Sequence, residues 1–118
     1  MSEKVTLFLF AGPEAPCRLV HSLIFARDIE DRGGEARISL EGAAPEWLLQ
    51  LPNPEHRFHS MYEQAKTSGL IDSMCRACAS QAGATEAAER EALRLVGDAY
   101  GHVSLAPYLD DGFAIVTL

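Results

Sequence analysis

The stretch VTLFLFAGPEAPCRLVHSLIFARDIEDRGGEARISL, residues 5–40, decides the fold. Its first seven residues are short, apolar and β-favouring and run into Gly12-Pro13, the pattern of a strand buried on both faces and closed by a turn. Over residues 15–32, Leu19, Val20, Leu23, Ile24 and Ala26 recur three or four apart, Asp28, Glu30 and Asp31 follow, and Gly33-Gly34 stops the pattern. That spacing predicts an amphipathic helix. Residues 36–40 alternate before Glu41-Gly42 and read as a second strand. Two strands joined through a helix form a βαβ unit, whose crossover makes the strands parallel.

The alternation continues along the chain. Residues 45–51 suit a short helical turn, interrupted by Pro52-Asn53-Pro54 because proline removes an amide donor and disfavours helix in the residue before it. Residues 55–68 place Phe58, Met61, Tyr62 and Ala65 on one helical face, and Gly69 ends it. Residues 70–74 are short and apolar enough for a third strand. Thr85 can cap a further helix, with Glu86 in its first turn and helix formers over residues 87–96, ending near Gly97 or Gly101. Residues 102–106 read as a fourth strand, 107–112 as a turn and 113–118 as a last strand. These elements predict a single α/β domain over residues 1–118, a mostly parallel five-stranded sheet with helices on both faces and right-handed crossovers. Its ligand site belongs at the carboxyl ends of the strands.

Composition narrows the function. The 118 residues are 47% hydrophobic and 23% charged, enough to bury a core in one domain. Ten Lys and Arg against 17 Asp and Glu give a net charge of −7, which repels phosphate backbones, so no nucleic-acid partner is expected. No stretch approaches the ~20 apolar residues of a membrane span, and Met-Ser-Glu-Lys leads straight into a strand without a signal-peptide layout. A cytoplasmic protein without a membrane partner is the expectation. No glycine-rich phosphate loop and no Gly-x-Ser-x-Gly elbow occurs.

The chemistry lies in the thiols. Cys75 and Cys78 form a CxxC pair where the third strand meets the next helix, a place suited to disulfide exchange, persulfide carriage or metal ligation. Cys78, in the more polar turn, is the favoured nucleophile and Cys75 its partner, while Arg76 supplies a cation to a thiolate. Two small buried residues filling the junction are the bland alternative. Gly12 and Cys17 follow the first strand and would emerge at the same sheet end, so both are candidates for contact with a substrate. His102 and Ser104, in Gly101-His-Val-Ser-Leu-Ala106, offer an imidazole and a hydroxyl to a sulfur-bearing ligand, or simply cap a strand end. Only Cys17, His21 and His102 accompany the CxxC as possible ligands, so neither a zinc site nor a cofactor is expected; His56 and His59 read as solvent-facing.

The order of elements, the segment MCRACA at 74–79 and the closing GHVSLAPYLDDGFAIVTL at 101–118 resemble the DsrE/DsrF-like family over nearly the whole chain. That resemblance implies a small cytoplasmic five-stranded α/β protein assembled as a homo-oligomer, a trimer or hexamer, with sulfur carried on a loop cysteine. It maps the cysteine to Cys75 or Cys78 and sets His102, Ser104 and Gly112 around the same site. The chain differs from relay subunits in having a paired CxxC. The function expected is that of a sulfur carrier or sulfurtransferase, exchanging sulfane sulfur with donor and acceptor proteins or small thiols. The alternative is a non-enzymatic oligomeric binding or redox-sensing module with structural or metal-binding cysteines. Trp47, Phe58 and Tyr108 are candidates for an oligomer interface.

Overall fold

A computed structural model describes residues 3–118. The elements run β1 (Lys4–Leu9), α1 (Pro16–Asp31), β2 (Glu35–Leu40), a 3₁₀ helix (Ala44–Leu49), α2 (His59–Thr67), β3 (Ile71–Cys75), α3 (Arg76–Ala82), α4 (Thr85–Arg90), β4 (Leu95–Val96), α5 (Ala106–Asp110) and β5 (Ala114–Thr117). The strands form one five-stranded sheet in the order β4-β3-β2-β1-β5, and every pairing is parallel.

The strand order follows from the direction of the crossovers. From β1 to β4 each step moves the same way across the sheet, so right-handed connections lay α1 to α4 on one face. The return from β4 to β5 passes over the other face and carries α5 there. Side chains record the same division. Leu7, Leu9, Ile38, Leu40 and Met74 join the main core with Leu19, Leu23, Trp47 and Leu48. Phe8, pointing the opposite way from its neighbours, meets Tyr108 of α5 edge-to-face at 5.7 Å.

The face under α5 is unusually polar. Ser39 and Ser73 are buried there, and Ser73 Oγ donates to Ser39 Oγ at 2.8 Å. Between β2 and β3 the register shifts, so that Ile38 opposes Ile71 and Ser39 opposes Ser73, leaving Asp72 as the extra residue of a bulge. The bulge turns two consecutive residues toward Tyr108, whose Oη donates to Asp72 Oδ2 at 2.5 Å and lies 3.0 Å from Ser73 Oγ.

Several elements differ from the sequence reading, each for a physical reason. The fourth strand is Leu95–Val96 rather than residues 102–106. The helix-forming run that starts at Thr85 stops at Arg90, because Ala92 is left-handed (φ 57) and the next residues pair with Met74 and Cys75. Tertiary pairing thus overrides helix propensity. Residues 107–112, read as a turn, begin as α5, whose start is supported by the Ser104 hydroxyl accepting from the Ala106 N–H at 3.3 Å. Thr85 opens α4 without a side-chain cap, and α2 starts at His59 rather than residue 55. His56 and His59 are half-buried: His56 sits edge-on to Trp47 at 6.2 Å, and His59 Nδ1 lies 2.6 Å from the Leu51 carbonyl. Trp47, expected at an interface, is a core residue whose Nε1 donates to the Ala11 carbonyl at 3.1 Å.

Candidate functional site

The connection after β3 climbs onto the α1–α4 face and the one after β4 descends onto the α5 face. Adjacent parallel strands whose connections part in this way leave a crevice at their carboxyl ends. Cys75 is the last residue of β3 and the N-cap of α3, with extended backbone (φ −60, ψ 122) and a sulfur that accepts from the Cys78 N–H at 3.3 Å. Cys78 follows one helical turn later, half-buried, and both thiols are free.

The connection after β4 brings the imidazole. Ala99 and His102 exchange both backbone hydrogen bonds at 2.9 Å, closing a two-residue turn with Tyr100 and Gly101 both left-handed (φ 55 and 87). The Gly101 carbonyl accepts from the Ala77 N–H at 2.9 Å and clamps this turn onto the first turn of α3. His102 Nδ1 consequently lies 3.1 Å from Cys75 Sγ and 3.6 Å from Cys78 Sγ. One ring nitrogen serves two thiols.

The loop after β2 supplies the remaining contacts. Gly42 donates its N–H to Cys78 Sγ at 3.2 Å. It is left-handed (φ +57), and a Cβ there would lie 3.1 Å from the Phe10 carbonyl oxygen, so glycine suits both the turn and the close approach. Glu41 stands beside Cys75, because Leu40 opposes Met74 in the parallel register. This carboxyl is 6% exposed and accepts from Ser39 Oγ at 2.6 Å. Burial raises its pKa above the ordinary glutamate value, with the Ser39 hydrogen bond and His102 acting in the opposite direction and Asp98 reinforcing the rise.

The two thiols differ in environment. Burial, the Cys78 thiol and the charge of Glu41 push the Cys75 pKa up to about 11, outweighing the Cys78 N–H, which favours the thiolate. Cys75 therefore holds its proton at neutral pH. Cys78 borders an open cleft of ≈ 310 Å³ lined by Gly42, Ala43, Glu46, Cys78, Gln81 and Ala82. It has access to solvent, an amide donor and an imidazole. Cys75, Cys78 and His102 also present three ligand atoms within 4.8 Å of one another, a grouping that can hold a metal ion.

The other residues singled out from sequence lie around this cluster rather than in it. Arg76 is exposed and passes over Gly97, where a Cβ would meet its Nη1 at 2.9 Å. Cys17 is exposed in the first turn of α1, and the β2 loop stands between it and the CxxC: a Cβ on Gly12 would meet the Ala43 carbonyl oxygen at 2.6 Å. Gly12 gives its N–H to Glu14 at 2.9 Å. Ser104 Oγ accepts from the Ala106 N–H at the start of α5, and its own N–H donates to Asp98 Oδ1 at 2.8 Å. In the sequence Glu41 and Gly42 mark only the end of a strand. Without the strand order, nothing set them beside Cys75 and Cys78.

No protein-family model matches the chain. Over 120 aligned positions, covering 98% of this chain and 95% of the relative, it is 37% identical to an uncharacterised protein of Methanocaldococcus jannaschii. A solved structure of a conserved protein of unknown function from Bacteroides thetaiotaomicron superposes over 98% of this chain and 95% of that one with a TM-score of 0.68 at 16% identity, a likeness of fold. Among the described residues no helix is long and apolar enough to cross a membrane. The chain is thus an α/β protein that belongs to the same family as the Methanocaldococcus jannaschii protein.

Proposed function

We propose that the protein carries sulfane sulfur as a persulfide on Cys78, with His102 as the proton carrier, in the manner of the DsrE/DsrF-like proteins it resembles. The observation that supports this reading is the single imidazole nitrogen set against both thiols, with Cys78 the more accessible of the two. In the step inferred, Cys78 gives its proton to His102 Nδ1, in the tautomer that leaves this nitrogen unprotonated, and the sulfur attacks the outer sulfur of a donor R–S–SH. A new S–S bond forms on Cys78, the donor S–S bond breaks, and R–S⁻ departs, recovering the proton from His102. The Gly42 N–H faces the charge that develops on Cys78 Sγ. Donor and acceptor are small thiols or proteins presenting one, and the setting is cytoplasmic.

Mass spectrometry of the intact protein tests the step. After exposure to a sulfane-sulfur donor, Cys75→Ser gains the mass of one sulfur atom and Cys78→Ser does not, both in a Cys17→Ser background. Absence of added sulfur in Cys75→Ser sinks the proposal.

A second reading has its own support in the three ligand atoms within 4.8 Å. Zinc or copper(I) held by Cys75, Cys78 and His102 would keep a coordination position open on the cleft side, as three-ligand sites do. Zinc–sulfur and zinc–nitrogen bonds of about 2.3 and 2.0 Å put sulfur and nitrogen roughly 3.5 Å apart in a tetrahedron, near the 3.1 and 3.6 Å found here. Stoichiometric metal in the purified protein, lost in His102→Ala, would favour this reading.

We also infer a homo-oligomer. Phe25 and Val116 are exposed beside an open groove of ≈ 790 Å³ along the edge strand β5, a surface a second copy would cover. Sedimentation velocity distinguishes it from a monomer.

A further inference from the structure

Sulfur carriage by Cys78 alone leaves Cys75 without a task. Its side chain is fully buried, at 0% exposure, so a donor on the surface does not reach it. Yet its sulfur lies within 4.8 Å of Cys78 Sγ and 3.1 Å from the nitrogen that serves Cys78. The cleft of ≈ 310 Å³ borders Cys78 and not Cys75. An outer sulfur carried on Cys78 therefore occupies the cleft side while Cys75 faces Cys78 from the interior. Thiol–disulfide exchange needs that arrangement, with the nucleophile opposite the departing sulfur.

We propose that Cys75 resolves the persulfide on Cys78, releasing sulfide and leaving a Cys75–Cys78 disulfide, an activity that rests on sulfur carriage by Cys78. The Cys75 thiol passes its proton to His102 Nδ1 as its sulfur bonds to Cys78 Sγ. The bond from Cys78 to the outer sulfur breaks, and its electron pair leaves with that sulfur as HS⁻, which takes up the proton in solution. The sulfane sulfur gains two electrons and the cysteine pair supplies them, so one turnover consumes no other reductant. A low-molecular-weight thiol or a dithiol protein then restores the pair by thiol–disulfide exchange. Resolution on this account gives the carried sulfur a second exit, as reduced sulfide, beside transfer to an acceptor thiol.

One anaerobic turnover tests this. Four proteins in a Cys17→Ser background, otherwise wild type or carrying Cys75→Ser, Cys75→Ala or Cys78→Ser, are reduced, freed of reductant and exposed to inorganic polysulfide. Intact mass is read after desalting, and sulfide is read against a protein-free control. The otherwise wild-type chain should finish lighter by two hydrogens and release one equivalent of sulfide beyond what loading sets free in the Cys75 variants; both Cys75 variants should hold one added sulfur; Cys78→Ser should neither lose hydrogens nor gain sulfur. If the chain with both cysteines keeps its added sulfur as stably as the Cys75 variants and releases no more sulfide than they do, resolution is overturned and carriage stands. If no variant gains sulfur and the dithiol stays intact, carriage fails and resolution with it.

Discussion

His102 Nδ1 lies 3.1 Å from Cys75 Sγ although 27 residues separate the two in the chain. The contact exists because β4 pairs with β3 and the turn after β4 is clamped onto α3 through the Gly101 carbonyl. General acid–base help from a positioned histidine contributes about 10²-fold or more. His102→Ala should therefore slow sulfur loading of Cys78 by about 10²-fold while leaving the far-ultraviolet circular dichroism unchanged, because the side chain is exposed on a turn. A loading rate within a factor of two of wild type would remove His102 from the mechanism.

The buried thiol carries a pH signature. The Cys75 pKa is raised from the ordinary 9.0 to about 11, so folding favours its protonated form. The stability this contributes is fully present below pH 9 and disappears as pH rises through about 11. Between those limits the wild type should lose on the order of 1–2 kcal/mol more stability than Cys75→Ser, read from urea midpoints at each pH. Iodoacetamide at pH 7.5 should label Cys17 and Cys78 in the folded protein and spare Cys75.

Glu41 is a second buried acid whose neutral form the fold prefers. Its contribution is present in acid and is lost as pH rises through its elevated pKa, so ionising this carboxyl weakens the protein. Glu41→Gln should gain in melting temperature over wild type as pH rises above the ordinary value of 4.5, and the gap should close as pH falls toward it. The same substitution removes a charge that raises the Cys75 pKa, so alkylation of Cys75 should begin at a lower pH. A melting-temperature difference that does not grow with pH would contradict the account of Glu41.

Gly42 couples backbone shape to chemistry. At φ +57, with the Phe10 carbonyl oxygen 3.1 Å from where a Cβ would sit, Gly42→Ala should cost about 1–2 kcal/mol of stability. Displacing the N–H that meets Cys78 Sγ should also lower the loading rate several-fold at a temperature where the variant is fully folded. Unchanged loading alongside the stability loss would confine Gly42 to a structural role.

Local pattern revealed the parts of this molecule that local forces decide. Residues 5–40 carry a helix stripe and two apolar strands whose periods read directly, and the CxxC announced itself by spacing. What stayed hidden depends on pairing between distant segments. Leu95–Val96 looked helical because two residues of strand carry little periodicity, and only the ladder with Met74 and Cys75 makes them β. The sequence marks His102 by its chemistry, but its approach to the thiols follows from left-handed Tyr100 and Gly101, a turn with no local signal beyond one glycine. Glu41 and Gly42 needed the order β4-β3-β2, which puts the end of β2 beside the end of β3. The same order separates Cys17 from the CxxC by the width of the β2 loop.

The most direct test of sulfur carriage on Cys78 is peptide mapping after loading. The Cys75→Ser protein, with Cys17 intact, is exposed to a sulfane-sulfur donor, the persulfide is trapped by alkylation, and each cysteine peptide is weighed. The account predicts that the Cys78 peptide carries the added sulfur at a rate exceeding that of the exposed Cys17 by at least about 10²-fold, the contribution assigned to His102. Loading of Cys78 no faster than Cys17, or loading that His102→Ala leaves unchanged, would contradict it.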